Sequence, residues 1–196
     1  MANQDAAFGL RPLKTLGQAD DSTGMSSHKI SPGDASILYQ GSMAIGAATG
    51  YIDISAAAST TSVGAFWGTF YIDPTTLKPT FKNYYPGGVT PPSSGAVEAF
   101  VYDNPQQLFE IQSDNTAASA QTDVFMCADL SSPTGGSTTN GVSSMELADA
   151  TLSATAAVLK IIGVSRDPAN SDLTAANVNW RVMIDQHLFG HNYDGI

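Results

Sequence analysis

The chain of 196 residues contains a single cysteine, Cys127, so no disulfide bond can form within it. Charged residues are also scarce, at 13% of the chain, about half of the share that is usual in soluble domains. No stretch approaches the roughly 18 apolar residues of a membrane span, and the N-terminus lacks the pattern of a secretory signal. The sequence therefore predicts a protein made in the cytoplasm, without a membrane partner, that is stabilised by packing or assembly.

Basic residues are fewer than acidic ones, at 8 against 18, which gives a formal net charge of −10. A chain of this charge repels polyphosphate, so nucleic acid is not an expected partner. The charge is unevenly distributed, because residues 1 to 19 carry Arg11 and Lys14 against Asp5 and are mildly positive. The sequence therefore predicts a short basic strip followed by an acidic body.

Motifs for nucleotide binding and nucleophilic catalysis are missing, since there is neither a glycine-rich phosphate loop nor a G-x-S-x-G elbow. The strongest candidate for a metal site is a C-terminal cluster of Asp185, His187, His191 and Asp194, in which "HLFGH" spaces two imidazoles four residues apart. Gly190 and the preceding strand pattern disfavour the helix that such a site needs. We interpret the cluster as a polar tail with hydrogen-bonding histidines, and expect no metal.

Acidic side chains offer one further catalytic arrangement. Glu98 and Glu110 can meet across neighbouring strands and resemble the acid and nucleophile of a glycosidase. Because the chain contains 18 acidic residues, such a pair is better explained by chance proximity than by catalysis. Cys127 is interpreted as a packing residue. We therefore expect no enzymatic activity, no catalytic residues and no cofactor.

Alternation of apolar and polar residues is the main structural signal. In "DVFMCADL", Val124, Met126, Ala128 and Leu130 fall on one face of a predicted strand. In "NVNWRVMIDQ", residues 177 to 186, the apolar positions alternate in the same way. Both segments are typical of antiparallel strands with one buried side.

Further strands are predicted at 63–73, 96–103, 108–112 and 158–165, with weaker candidates in "SHKI", "SILYQ" and "YIDIS". Turn signals rich in proline, glycine and asparagine separate them, and only 144–160 is able to support a few helical turns. We predict an all-β protein: a single antiparallel β-sandwich or barrel, the jelly roll among the topologies, with little helix. Residues 21–196 form this domain, and residues 1–20 form an extended N-terminal arm.

Seven segments, spread over the whole chain, together resemble one protein family. They are "AFGLRP", "KISPGDASILYQGSMA", "VGAFWGTFYID", "VYDNPQQLFEIQSD", "NGVSSMEL", "LKIIGVSRDPAN" and "NWRVMIDQHLF". "NYYPGG" after the aromatic strand also fits the family pattern. The family comprises structural proteins of tailed-bacteriophage virions that are regarded as capsid decoration, or cement, proteins.

The resemblance implies a location on the capsid exterior of the virion, with the major capsid protein and copies of the chain itself, as a homotrimer, as partners. Two alternatives stay open. In the first, the chain is another virion component, such as a tail, neck or head-fibre subunit. In the second, it is a carbohydrate-binding β module. In the latter, Trp67, Tyr84 and Tyr85 would be exposed and would stack on sugar faces.

The predicted arm supplies the candidate interaction residues. They are Phe8, Leu10, Arg11, Pro12, Leu13, Lys14 and Leu16. An extended segment buries such apolar side chains only if its backbone pairs with a sheet edge, and we expect that edge to belong to a neighbouring subunit. The alternative is that the arm folds back on its own domain.

Overall fold

A computed structural model describes residues 3–16, 24–92 and 95–190, and over these residues the chain is almost entirely β. The strands are β1 (Arg11–Thr15), β2 (Ser26–Ile30), β3 (Met43–Gly46), β4 (Ile52–Ile54), β5 (Ser62–Ile72), β6 (Pro79–Lys82), β7 (Val97–Tyr102), β8 (Gln107–Gln112), β9 (Cys127–Ala128), β10 (Leu130–Ser131), β11 (Glu146–Leu147), β12 (Leu159–Val164) and β13 (Asn179–Ile184). Two 3₁₀ helices, Gln121–Asp123 and Asp149–Thr151, are the helical elements of the described residues. The predicted all-β class is confirmed.

Five strands form one sheet in the order β1, β8, β13, β12, β9. Every neighbouring pair in this sheet is antiparallel. The two edges of the sheet are β1, near the N-terminus, and β9, more than 110 residues later in the chain. The five-stranded sheet therefore brings distant parts of the sequence together.

Six strands form a second sheet in the order β3, β4, β2, β7, β5, β6. Because β3 also pairs with β5, the first five of these strands close into a ring, and β6 is attached to β5 outside it. The pair β2 and β4 is parallel, with Ile30 opposite Ile52. This pair corrects the expectation of a purely antiparallel fold. A short β10–β11 ladder completes the strand pairing.

Two hydrophobic clusters form the core. The ring of strands encloses one of them, to which each ring strand contributes a buried side chain: Ala44, Ile52, Ile30, Val97 and Phe66. The other cluster lies on the five-stranded sheet and includes Trp180, Phe109 and Leu159. Met43 and Ala65 from the six-stranded sheet belong to this second cluster, so the two sheets share a core, as expected of a sandwich.

The strands predicted at 63–73, 96–103, 108–112, 158–165 and 177–186 are confirmed as β5, β7, β8, β12 and β13. The strand predicted over "DVFMCADL" is wrong for most of its length. Asp123 ends a 3₁₀ helix, and Phe125 has a left-handed φ of 76°, so the alternation is broken before β9 begins. The helical turns expected within 144–160 shrink to the single 3₁₀ helix at Asp149–Thr151.

The expected free arm is also corrected for the residues that the structure describes. Residues 11–15 form β1, which pairs with β8 of the same chain, and Leu10 is completely buried in the core of the five-stranded sheet. Of the two readings of this segment, the one in which it folds back on its own domain is observed. Residues 17–20, which complete the predicted arm, lie outside the described residues.

Candidate functional site

The N-terminal segment is fixed to the domain by side-chain amides. The Gln112 Nε2 and Asn170 Nδ2 groups both donate to the carbonyl oxygen of Gln4, each at 2.8 Å. The Gln112 Oε1 atom accepts the backbone N–H of Ala6 at 2.9 Å. These bonds satisfy backbone groups that have no strand partner, so the segment is held in place before β1 begins.

A close backbone approach then leads into β1. The N–H of Leu10 donates to the carbonyl oxygen of Gly41 at 2.8 Å. Gly9 has a φ of +70°, and a Cβ atom added to it would lie 2.5 Å from that same oxygen. Only glycine fits here, since a side chain would meet the neighbouring backbone and strain its own. The contact directs Leu10 into the core.

Arg11 is held by two contacts of different kinds. Its Nη1 group forms an ion pair with the Glu110 Oε2 atom at 3.1 Å, and its guanidinium lies over the Phe8 ring, 3.9 Å from the centroid. Glu110 is only 5% exposed, and its other carboxylate oxygen accepts the hydroxyl of Ser165. The buried charge is thus paired and hydrogen-bonded, as its desolvation requires. The Arg11 side chain itself stays half exposed.

A cleft of about 190 Å³ opens beside this contact, lined by Phe8, Arg11, Gln40, Trp67 and Val142. Trp67 lies at an irregularity in the pairing of β5 with β7, between Phe66 and Gly68. A bulge of this kind redirects a side chain relative to its neighbours. The indole packs edge-on against Tyr102, with ring centroids 5.4 Å apart.

The cleft is smaller than the pockets of roughly 300 to 1,000 Å³ that bind cofactors and drug-sized ligands. Its tryptophan and arginine are the residue types that contribute most to binding energy at protein interfaces. The geometry therefore suits a single side chain of a partner protein. We take this cleft, together with the exposed residues of β1, as the candidate functional site.

The seven residues predicted from the sequence separate into three groups. Leu10 is a core residue, and Phe8 and Arg11 line the cleft. Leu13, Lys14 and Leu16 are exposed, and Pro12 is half-buried. Sequence reasoning missed Gln40 and Val142 as cleft residues, because they lie far from the N-terminus in the chain and carry no local signal.

The three aromatic residues proposed for sugar stacking do not share one surface. Tyr85 is completely buried; its hydroxyl donates to the carbonyl oxygen of Asp34 at 3.0 Å and accepts the N–H of Val89. The ring of Tyr84 stacks on Tyr39, with centroids 6.2 Å apart. Trp67 alone lines the cleft. The expectation that Tyr85 is exposed is therefore wrong.

The C-terminal cluster that was considered for metal binding is only partly described. Asp185 pairs with Lys160 at 3.0 Å. His187 is buried, its Nδ1 atom accepts the N–H of Phe189, and burial lowers its pKa to about 4. His191 and Asp194 lie outside the described residues. Within residues 3–16, 24–92 and 95–190, no three His, Cys, Asp or Glu side chains are grouped to hold a metal ion.

Glu98 and Glu110 do not meet across neighbouring strands. Glu98 lies on β7 of the six-stranded sheet, and Glu110 lies on β8 of the five-stranded sheet. The predicted cross-strand pairing of these carboxylates is therefore wrong.

A different group of carboxylates is electrostatically perturbed. Burial, together with the nearby charge of Asp114, raises the pKa of Asp149 to about 6. Burial and the charge of Asp5 raise the pKa of Glu146 to about 7. The sequence pattern gave no signal for this, because these acids lie in irregular segments and short strands.

Among the described residues, no helix has the length and apolar character needed to traverse a bilayer. Comparison of the chain with protein-family models, with curated proteins and with solved structures finds no match.

Proposed function

We propose that this chain is a structural protein of a tailed-bacteriophage virion that decorates the capsid exterior by binding the major capsid protein as a homotrimer. The observation that carries the proposal is the sequence resemblance, which runs from "AFGLRP" near the N-terminus to "NWRVMIDQHLF" near the C-terminus. The segments keep the family order along the chain, and all seven of them overlap strands of the fold.

The physical character of the fold supports the same role. A decoration protein needs a rigid domain, and this chain has two buried clusters and an N-terminal segment fixed to the domain by hydrogen bonds. It also needs to remain dispersed at high local concentration, which a net charge of −10 favours. Many weak contacts on one shell then give stable attachment through avidity.

The exposed part of β1 is the surface that we assign to the capsid contact. Leu13 and Leu16 are 37% and 45% exposed, next to the exposed Lys14, on a chain whose remaining charge is strongly negative. Exposed leucines beside a lysine are complementary to a partner surface that offers apolar pockets for the leucines and carboxylates for the lysine.

Counting copies in the particle tests the proposal. Virions whose genome encodes this chain are purified, and the chain is quantified against the major capsid protein by mass spectrometry. We expect roughly hundreds of copies per particle, whereas about six or twelve copies would indicate a neck or tail subunit. Absence of the chain from purified virions would refute a structural role.

Rebinding to shells that lack the chain tests the assigned surface. Leu13→Asp and Leu16→Asp each place a charge in the contact, so we expect binding to weaken at least about tenfold. Leu77→Asp is the matched control, since Leu77 is 65% exposed in the loop between β5 and β6. Equal binding of all three variants would exclude the β1 surface as the capsid contact.

A further inference from the structure

Phe125 is the most exposed large apolar side chain of the described residues, at 76%. Its φ of 76° places it in the left-handed region, where a bulky residue is strained and glycine or asparagine is favoured. Exposure of an apolar ring and a left-handed backbone at a bulky residue both cost free energy in the isolated domain. The combination indicates that Phe125 has a function in binding another molecule.

The position of Phe125 is fixed by backbone hydrogen bonds. Its N–H donates to the carbonyl oxygen of Ile161, and the N–H of Ile161 donates to the carbonyl oxygen of Met126, both at 2.9 Å. Phe125 is therefore held at the edge of the five-stranded sheet, against β12 and two residues before β9 begins. A residue whose backbone is already fixed loses less conformational entropy when it binds a partner.

The other two phenylalanines that are at least half exposed, Phe81 and Phe189, already have aromatic neighbours. The Phe81 ring lies 6.1 Å from that of Phe100, and the Phe189 ring lies 6.1 Å from that of His28. No such ring contact is formed by Phe125 with any described residue. Phe125 is thus the aromatic side chain that is best placed to bind elsewhere.

The cleft beside β1 has the size and lining to receive it. An apolar cavity of about 150 Å³ is known to hold benzene, so the cleft of about 190 Å³ is large enough for a phenyl ring. Phe8 and Trp67 offer ring contacts, and Arg11 offers a guanidinium that favours aromatic faces. The fit between one projecting ring and one aromatic cleft indicates that the occupant is a second copy of this chain.

The topology places the two features at opposite edges of the five-stranded sheet. The cleft adjoins β1 and Phe125 adjoins β9, and these strands are the two edges of the five-stranded sheet. Four strand spacings separate the edges, about 19 Å at ~4.8 Å per spacing. One copy is thus able to donate its ring on one side and accept a ring on the other. Such head-to-tail contacts generate rings when the rotation closes.

We propose that copies of this chain associate head to tail, with Phe125 of one copy inserted into the cleft formed by Phe8, Arg11 and Trp67 of the next. The inference rests on the proposed function in so far as it specifies the contact of the homotrimer. It is nevertheless tested on the purified chain, without any capsid.

Sedimentation velocity over a range of protein concentrations measures the association. We expect the wild-type chain to form a trimer, and Phe125→Gly and Trp67→Ala each to raise the dissociation constant at least about tenfold. Phe81→Ala is the control, because Phe81 is 61% exposed but lies on β6, and we expect it to associate as the wild type does. Phe125→Gly keeps a favourable backbone at φ 76° and exposes no core, so it decides the question even if Trp67→Ala does not fold.

Photo-crosslinking locates the contact directly. Phe125→p-azidophenylalanine retains the ring, and after irradiation the crosslinked peptides are identified by mass spectrometry. We expect crosslinks from one chain to peptides of another that contain Phe8, Gln40 or Trp67.

Three results would overturn the inference: a wild-type chain that stays monomeric at all concentrations, association that is unaffected by Phe125→Gly, or crosslinks only to other surfaces. A chain that is abundant on virions but monomeric in solution would retain the proposed function and lose this contact. A chain that forms trimers through Phe125 but is absent from virions would retain this contact and lose the proposed function.

Discussion

Replacement of Leu10 by alanine tests whether the N-terminal segment is part of the folded domain. Leu10 is completely buried in the cluster that contains Phe109 and Trp180. Removing a fully buried leucine side chain typically costs about 3 kcal/mol or more, from lost transfer energy and the cavity left behind. In a domain of this size each kcal/mol lowers the melting temperature by roughly 2 to 4 °C. We therefore expect Leu10→Ala to lower the melting temperature by about 6 to 12 °C.

Leu13→Ala is the matched control, because it removes the same atoms from the same segment, only three positions away. Leu13 is 37% exposed, so less apolar surface is returned to water and no enclosed cavity is formed. The expected loss is below about 1 kcal/mol, which is about 4 °C at most.

Thermal unfolding followed by circular dichroism, together with urea titration, measures both variants. A single transition that shifts downward for Leu10→Ala, with an unchanged urea dependence, is the expected result. Equal melting temperatures for Leu10→Ala and the wild type would mean that the segment separates from the domain in solution. In that case the pairing of β1 with β8 would contribute nothing to stability.

Two further predictions concern pH, and they have opposite signs. Because the pKa of Asp149 is raised to about 6 in the folded state, its ionisation destabilises the wild-type fold as pH rises from about 4 to 7. Asp149→Asn does not ionise. Its unfolding free energy should therefore increase relative to that of the wild type by about 2 to 3 kcal/mol over this interval. Urea titrations at pH 4.5 and 7.5 measure this, and a gain that is independent of pH would contradict it. Because burial lowers the pKa of His187 to about 4, the unfolded chain binds the extra proton, and wild-type stability should fall between about pH 6.5 and 4. His187→Gln should lose less stability over that interval, and a parallel loss in both proteins would refute the assignment.

Strands with one buried face were predictable because their signal is local. In β13, Trp180, Val182 and Ile184 occupy alternate positions and are each 3% exposed or less, whereas the two positions between them are half-buried. A period of two in the sequence directly reports which face of a strand is covered. The same reasoning applies to β7, where the buried and half-buried positions alternate without interruption.

The N-terminal strand was not predictable by the same means. Its burial pattern does not alternate, because the register with β8 shifts between Pro12 and Thr15. Its partner is also remote, since Arg11 lies opposite Glu110. Burial of Leu10 therefore depends on long-range strand pairing and on the hydrogen bonds from Gln112 and Asn170 to Gln4. Neither produces a periodic pattern in the sequence.

The cleft shows the same limitation. Phe8 and Arg11 were candidates because of their residue types, and Trp67 was a candidate for a different function. Their convergence depends on an irregularity in the pairing of β5 with β7, which redirects Trp67 and which the string "GAFWGTF" does not specify. Residue types thus indicated which side chains are suited to binding, and only the fold shows which of them act together.

The edges of both sheets favour association through side chains over strand addition. β1 carries Pro12, which has no N–H to donate, a register shift and the exposed Lys14. β6 is four residues long and runs from Pro79 to Lys82, and β9 has only two residues. Proline, lysine, irregular pairing and short length all disfavour the docking of another strand. A projecting ring and a cleft need no free backbone groups, so this protein is able to assemble through them while its edges remain protected against uncontrolled pairing.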